Sequence, residues 1–441
     1  MNTITKVYAD HPKTLLFSSA AALRILLVLA FPALPDLLTG RVEISSPVSS
    51  FTRLQEGLFL YQRGLDPYDG GIFHQSPTIL GRLPTILLYT ALDILSASNL
   101  CHIAASGAAY ASRSYTSPRH HRHWNPVSVA AAYLLNPLTL LTCLGRPTSV
   151  FAIFFVILSV REACRARSVT SAFALALASY VSLHPVLLLP PVGLLCYDRV
   201  CLPATEAAGR GGDGETKGKK VAIDQRSQPS GLGFGLIYLA TFVFSVAFLF
   251  VLSRLLLPSW NFIPSVYLTP LTLPDLTPNP GLWWYFFIEM FDAFRNFFLG
   301  VFWLHMLSYS VPFCLRLQKQ PLAAVVCMMG IIAIFEPYAN IGEVGFWLSS
   351  ITLLSHTFEL ASTHRYTFAA LAALLYTVML GPVFHHLWLY AGSGNANFFY
   401  AITLVWALAL IILLTDTVYS VLRDEWESER PEGKGKEVRQ L

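Results

Sequence analysis

An all-α, polytopic membrane protein of about 12 transmembrane helices is the fold this sequence predicts, on three grounds: scarce charge, apolar runs of bilayer length, and an excess of cations in one set of loops while the other set is poor in lysine. Of the 441 residues, 13% are charged and 54% hydrophobic, and the mean hydropathy is +0.53. Soluble chains carry about 25% charged residues, so lipid is the main solvent here. Inside hydrocarbon a helix satisfies every backbone group within its own segment. The formal charge of +4 reports topology and does not point to nucleic acid.

The first apolar run, Thr14–Leu38, follows a polar leader with Lys6 and Lys13. It has no small-residue cleavage site and exceeds a signal-peptide core, so it reads as a retained first span. The remaining spans are expected near Pro84–Tyr110, Val127–Cys143, Ser149–Val160, Val169–Leu183, Pro185–Cys196, Leu232–Leu257, Ala293–Phe313, Leu322–Phe335, Val344–Phe358, Tyr366–Phe384 and Phe398–Leu422. Several are too short to cross alone. Proline removes an amide and clashes with the preceding turn, so His184-Pro185 predicts paired broken segments.

Cations orient the chain. Arg113, Arg119, Arg122, Arg161, Arg165, Arg167, Lys217, Lys219, Lys220, Arg316, Lys319 and Arg365 fall with both termini on the cytosolic side. Thr39–Thr78, Pro258–Trp284, Glu336–Gly342 and His385–Asn397 fall on the lumenal side, rich in Pro, Gly, Asn and aromatics. Residues 1–422 thus form one membrane domain, with 39–78 its first lumenal loop and 423–441 a cytosolic tail. The mixed-charge, Gly-rich loop 197–231 reads as disordered. Seven cysteines without a C-x-x-C pair read as buried small hydrophobes, and no metal or cofactor is expected.

The first lumenal loop holds Glu43, Arg53, Glu56, Asp66, Asp69 and His74. Phe51, Leu54, Leu58 and Tyr61 recur at helical spacing, which predicts a short helix at the membrane surface. The carboxylates fit either a sugar-transfer site or a solvated loop whose charges pair among themselves. In "PSWNFIPSVYLTPLTLPDLTPNPGLWWYFFIEMFDAFRNFF" the prolines forbid a regular helix before Pro280, and Trp283, Trp284 and Tyr285 suggest an interfacial belt. Glu289, Asp292 and Arg295, three apart, would form one stripe on a helix, either an internal ion pair or part of a polar cavity. "IFEPYANIGEVGFW" and "AGSGNAN" each set Asn beside Gly or Ala at the lumenal end of an apolar run. Asn offers donor and acceptor without charge, and small neighbours admit a ligand or a second helix. Asn395 or Asn397 could instead cap the following helix, but both cannot cap one end.

Six stretches, "RVEISSP", "GLDPYDGGIFHQSP", "LLNPLTLLTC", "FIPSVY", "LPDLTPNPGLWWYFFIEMF" and "HLWLYAGSGNANFFYAITL", resemble the phosphatidylinositol-glycan class U subunits of the glycosylphosphatidylinositol (GPI) transamidase, from Arg41 to about Leu404. The resemblance implies an endoplasmic reticulum membrane subunit similar in architecture to lipid-linked-sugar glycosyltransferases. It implies a non-catalytic member that binds and presents the GPI lipid while a class K subunit carries cysteine-protease chemistry. The implied partners are the class K, S and T subunits and the GPI attachment protein 1 homologue. By the same resemblance Asn395 and Asn397 would touch the GPI glycan or its phosphates, with Tyr338 and Asn340 lining the chamber. Glu43, Arg53, His74 and Glu289 are candidates for a lumenal cavity. The alternative is an active mannosyltransferase using a polyprenyl-phosphate sugar, with Glu43, Asp66, Asp69 and His74 at its centre. A lone Glu43 in "RVEISSP" weighs against sugar transfer. Broken helices would also suit a transporter.

Overall fold

The computed structural model describes residues 11–80, 86–202, 229–257, 259–361 and 366–436. Lys6, Arg365, residues 437–441 and most of the loop expected to be disordered lie outside them. The architecture is all-α: among the described residues the one β feature is an isolated bridge between Ala111 and Thr116.

Helix α1 (Pro12–Ala30) starts on proline, whose fixed φ and missing amide suit a first turn, and is followed by the short α2 (Leu34–Thr39). Helix α3 (Phe51–Gln62) is the one expected in the first loop, burying Phe51, Leu54 and Leu58 on one face. After α4 (Ile86–Ala105) come α5 (Pro126–Leu134) and α6 (Pro137–Gly145), bent by 55°. Each member of this pair is asparagine-capped: Val127 N–H donates to Asn125 at 2.9 Å and Leu138 N–H to Asn136 at 3.0 Å. Helices α7 (Ser149–Cys164) and α8 (Ser168–Val181) form a hairpin. Ser182 is then extended, His184–Leu188 makes a 3-10 turn, and α9 (Leu189–Val200) returns, so the break predicted at His184-Pro185 is present.

The second half holds α10 (Gly231–Leu256), α11 (Trp283–Ile288), α12 (Asp292–Arg316), α13 (Pro321–Phe335), α14 (Ile341–Ile351), α15 (Thr367–Leu389) and α16 (Ala396–Glu429). Helix α13 is buried from Pro321 to Ile334 and forms the axis of the bundle, as befits a helix apolar all round. Helices α1, α10, α12 and α15 turn broad apolar faces outward. Among the described residues six helices are long and apolar enough to cross a membrane, or seven with the bent α5–α6 pair counted once. The count of about 12 is therefore not reached by that measure, because segments such as α13 and α14 are 15 and 11 residues long.

Three local expectations are corrected. Helix α11 stops at Ile288, and Phe291 is extended before α12 begins. Glu289 and Asp292 therefore lie on different elements and form no common stripe. Trp283 and Trp284 are each 1% exposed, so they pack inside and do not ring the molecule. The last helix does not end at Leu422 but runs to Glu429, because its charges find partners. Arg119 donates to Asp424 at 2.9 Å and pairs with Glu427, and the Tyr115 hydroxyl donates to Asp424 at 2.7 Å.

Those contacts belong to one end of the bundle, where the cation-rich segments gather. Arg113 N–H donates to Asp198 at 3.0 Å and the Ser112 hydroxyl to the Lys319 carbonyl at 2.7 Å. The Pro-, Gly- and aromatic-rich loops gather at the opposite end. Within the bundle, Arg24 is 0% exposed; it donates to Asp93 at 2.8 Å and to the Leu134 carbonyl at 3.1 Å, while Tyr133 donates to Asp93 at 2.8 Å.

Two glycines let α14 lie against α6. A Cβ on Gly342 would sit 2.6 Å from Thr142 Cγ2, and one on Gly345 2.8 Å from Leu138 Cβ. Gly342→Val is expected to lower stability by about 1–3 kcal/mol through overpacking. A lower unfolding midpoint of the purified protein, with Val at the exposed Ser393 unchanged, would check this.

Candidate functional site

The loop end is tied together by segments remote in sequence. Ile341 N–H donates to the Glu43 carbonyl at 2.9 Å, and Thr148 N–H to the Ser49 carbonyl at 2.8 Å. Arg53 donates to Asp275 at 2.8 Å and to the Ile72 carbonyl at 3.2 Å, fastening α3 to the proline-rich loop. Burial opposes the Asp275 charge, but hydrogen bonds from Thr277 and Arg53 hold its carboxyl below the ordinary value, so the brace stays charged across the neutral range. Trp283 Nε1 donates to the Phe335 carbonyl at 2.7 Å, and the Tyr400 hydroxyl to the Leu282 carbonyl at 3.2 Å. Trp284 stacks 6.0 Å from Trp388 and lies 5.9 Å from Phe399.

Two of the cavities at this end are lined by candidate residues. The larger, about 480 Å³, is a groove between the α15–α16 hairpin and a wall made by α2, α6 and the start of α14. Its walls are apolar, with Leu38, Ile44, Leu141, Ile341, Ile402 and Trp406 among them. Its mouth is charged: Arg41 donates to both Glu43 oxygens, at 3.2 and 3.1 Å, with His386 opposite. His385, 4% exposed and packed 5.2 Å from Phe399, has neither ring nitrogen hydrogen-bonded. Apolar walls with a few convergent polar groups at one end suit an amphiphile.

The smaller cavity, about 30 Å³, lies behind that wall and is polar. His74, His184, Glu336, Tyr338, Asn340 and Glu343 line it. His74 Nδ1 is 2.9 Å from the Ser265 carbonyl, and burial holds its imidazole below the ordinary value. Glu336 is 2% exposed, and burial together with the adjacent Glu343 carboxyl pushes it well above the carboxylate range.

The candidate residues are distributed over these features. Asn395 is exposed and caps α16, accepting from Phe398 N–H at 3.3 Å. Asn397, also exposed, accepts from the Tyr285 hydroxyl, so one asparagine caps and the other does not. Both stand about one turn above the groove, on the helix whose Phe399, Ile402 and Trp406 line it. Asn340 caps α14, accepting from Glu343 N–H at 3.1 Å, and with Tyr338 faces the polar cavity, not the groove. Glu43 sits at the groove mouth, Arg53 in the brace, and Glu289 is exposed outside both cavities. Asp66 is engaged by Ser259 at 2.6 Å and Asn261 at 3.1 Å.

Sequence reasoning missed Arg41, His385, His386, Glu336 and Glu343 as site residues. Arg41 stands two residues before Glu43, and Glu336 and Glu343 flank Asn340; a paired reading of those charges was the available signal. Among the described residues no three His, Cys, Asp or Glu side chains are grouped to hold a metal ion, and all seven cysteines are free.

A family model described as "GPI transamidase subunit PIG-U" matches residues 18–406. The chain is 33% identical over 416 residues to the GPI-anchor transamidase component PIGU of Homo sapiens, covering 89% of this chain and 90% of that one. It is 32% identical over 423 residues to the GPI transamidase component GAB1 of Saccharomyces cerevisiae, covering 94% and 95%. With the GAB1 homolog of Schizosaccharomyces pombe the identity is 30% over 416 residues, covering 92% and 93%. Matches of this length run through the groove, the polar cavity and the asparagine tip together, and they show that the chain belongs to the PIG-U family of GPI transamidase subunits.

Proposed function

We propose that this subunit binds the GPI glycolipid in the groove and presents it for attachment to precursor proteins, making no covalent bond itself. The observation that carries the reading is an apolar groove of about 480 Å³ that ends in a charged mouth. Acyl chains suit the walls, and a head-group phosphate suits Arg41 with His386 opposite it. Asn395 and Asn397 stand above that mouth, where uncharged amides meet sugar hydroxyls or a phosphate at less desolvation cost than a carboxylate. Bond making and breaking then fall to a partner of the cysteine-protease class, the class K subunit. The class S and T subunits and the GPI attachment protein 1 homologue complete the assembly in the endoplasmic reticulum membrane, with both termini of this chain cytosolic.

Replacing Asn395 and Asn397 together with Leu is expected to leave the complex assembled while GPI attachment falls about tenfold, the worth of one or two lost hydrogen bonds. Co-purification of the subunits and release of GPI-anchored reporter to the cell surface measure the two. Lost assembly would make the asparagines structural; unchanged attachment would remove them from the lipid site. Sugar transfer by the purified subunit that vanishes in Glu43→Gln would replace this reading with the mannosyltransferase one.

A further inference from the structure

We propose that the bundle end opposite the groove mouth carries a binding site for the head group of one anionic phospholipid, formed by Lys13, Arg161 and Arg165 beside His102. Three elements meet there: the first turn of α1, the last turn of α4 and the end of α7. His102 lies within electrostatic reach of Lys13, Arg161 and Arg165, and Arg161 within reach of Arg165 and Arg167.

Charge balance is the first argument. Among the described residues one carboxylate, Glu162, pairs with this cluster, at 3.8 Å from Arg161, 3.6 Å from Arg165 and 3.4 Å from Arg167. All three distances exceed the roughly 2.7–2.9 Å of a charge-assisted bond. Arg161 Nε is buried without a hydrogen-bond partner. Other arginines at this end are engaged at shorter range: Arg119 donates to Asp424 at 2.9 Å and Arg423 to Glu427 at 2.7 Å. Lys13, Arg161, Arg165 and Arg167 are four cations against one carboxylate, a formal surplus of three. The surplus can meet a ligand from outside, since the Arg165 and Arg167 side chains are 37% and 63% exposed.

Placement is the second argument. On α4, Leu88, Ala91, Leu95 and His102 are all exposed and recur at helical spacing, so an outward stripe runs up to the cations. From Leu88 to His102 it rises about 21 Å, beyond the roughly 15 Å that one leaflet contributes to the hydrocarbon. Helix α1, which packs on α4, also turns Leu23, Leu26 and Leu29 outward. An acyl chain therefore finds apolar surface beneath the same cations that meet its phosphate.

The chemistry selects the lipid. A guanidinium presents paired donors that match two phosphate oxygens, and each Lys or Arg at a membrane surface favours an anionic lipid. A choline head group would bring its own cation into a cluster already positive, so phosphatidylserine or phosphatidylinositol fits better than phosphatidylcholine. A lipid held here would tie α1 to α7 across the end of α4. The site stands whether or not the groove binds GPI.

The test places the assembled complex in nanodiscs of phosphatidylcholine alone or in an equal mixture with phosphatidylserine. Native mass spectrometry then counts the lipids retained after release into detergent. From the mixture, the wild type is expected to retain phosphatidylserine about tenfold more than Arg161→Gln/Arg165→Gln does. Arg430→Gln, at an exposed arginine of the same end, should match the wild type. Arg167 stays in the double variant to pair with Glu162. Equal retention by the wild type and the double variant, or an equal loss of phosphatidylcholine in that variant, would overturn the proposal. Should the double variant not assemble, density maps of the wild-type complex in the two kinds of disc decide. A head group between Lys13 and Arg165 in the mixture, absent in phosphatidylcholine alone, supports the site. The same density in both discs, bare side chains, or a segment of a partner subunit laid over them would sink it.

Discussion

Gly381→Trp is expected to reduce GPI attachment by about tenfold or more while the subunit still assembles. Gly381 lines the groove on α15, and a Cβ built there meets only Ile402 Cγ2, at 3.8 Å. The backbone therefore accepts a side chain, and an indole at that point would project into the space proposed for acyl chains. A tenfold loss corresponds to about 1.4 kcal/mol of binding, small beside the apolar contact such a chain would forfeit. Gly381→Ala is the matched control: it adds helix propensity, fills little, and should attach GPI at near the wild-type level. Reporter release at the cell surface, with co-purification of the complex, measures both. Full activity in the Trp variant would place the lipid elsewhere, and loss of the complex would make the groove a subunit contact.

The second large effect is on stability. Arg24→Met should destabilise the protein by about 3–5 kcal/mol, because Asp93 and the Leu134 carbonyl would lose their donor inside the bundle. Arg24→Met/Asp93→Leu should recover much of that loss, since with both charges gone the groups left unpaired, the Tyr133 hydroxyl and the Leu134 carbonyl, are neutral. Unfolding midpoints of the two variants in one detergent test the sign. A double variant no better than the single one would mean that the pair stabilises beyond its own desolvation cost.

How much of this could be read from sequence depends on the range of each signal. Apolar runs located the helices, and the proline at position 185 located the break, because both effects are local. Segregation of cations foretold which segments gather at each end of the bundle, and the Phe51–Leu54–Leu58 spacing foretold α3. Spacing failed at Glu289 and Asp292, where one extended residue, Phe291, ends a periodicity that looked continuous. It failed again beyond Leu422, where charges read as a tail are a helix whose partners, Arg119 and Tyr115, lie about 300 residues earlier. Arg24 and Asp93 meet across two helices, and His184 meets Glu336 across the middle of the chain; no window on the sequence joins such pairs. The groove belongs to the same class, since its walls come from stretches as far apart as Leu37–Ile44, Leu138–Leu141, Pro280, Ile341 and Thr377–Trp406. The asparagines were visible because a helix start is a local event, and Asn395 does cap one.

The unbroken length of α16 has a mechanical consequence. Thirty-four residues at about 1.5 Å each give a rod of about 51 Å, well beyond the roughly 30 Å of a hydrocarbon slab. One extremity carries Asn395 and the other is gripped by Arg119. A tilt of about 5° about that grip would swing the far tip by about 4 Å, more than the reach of a hydrogen bond. Whatever tugs on the gripped extremity would thus be felt, like a hand on an oar, at the blade.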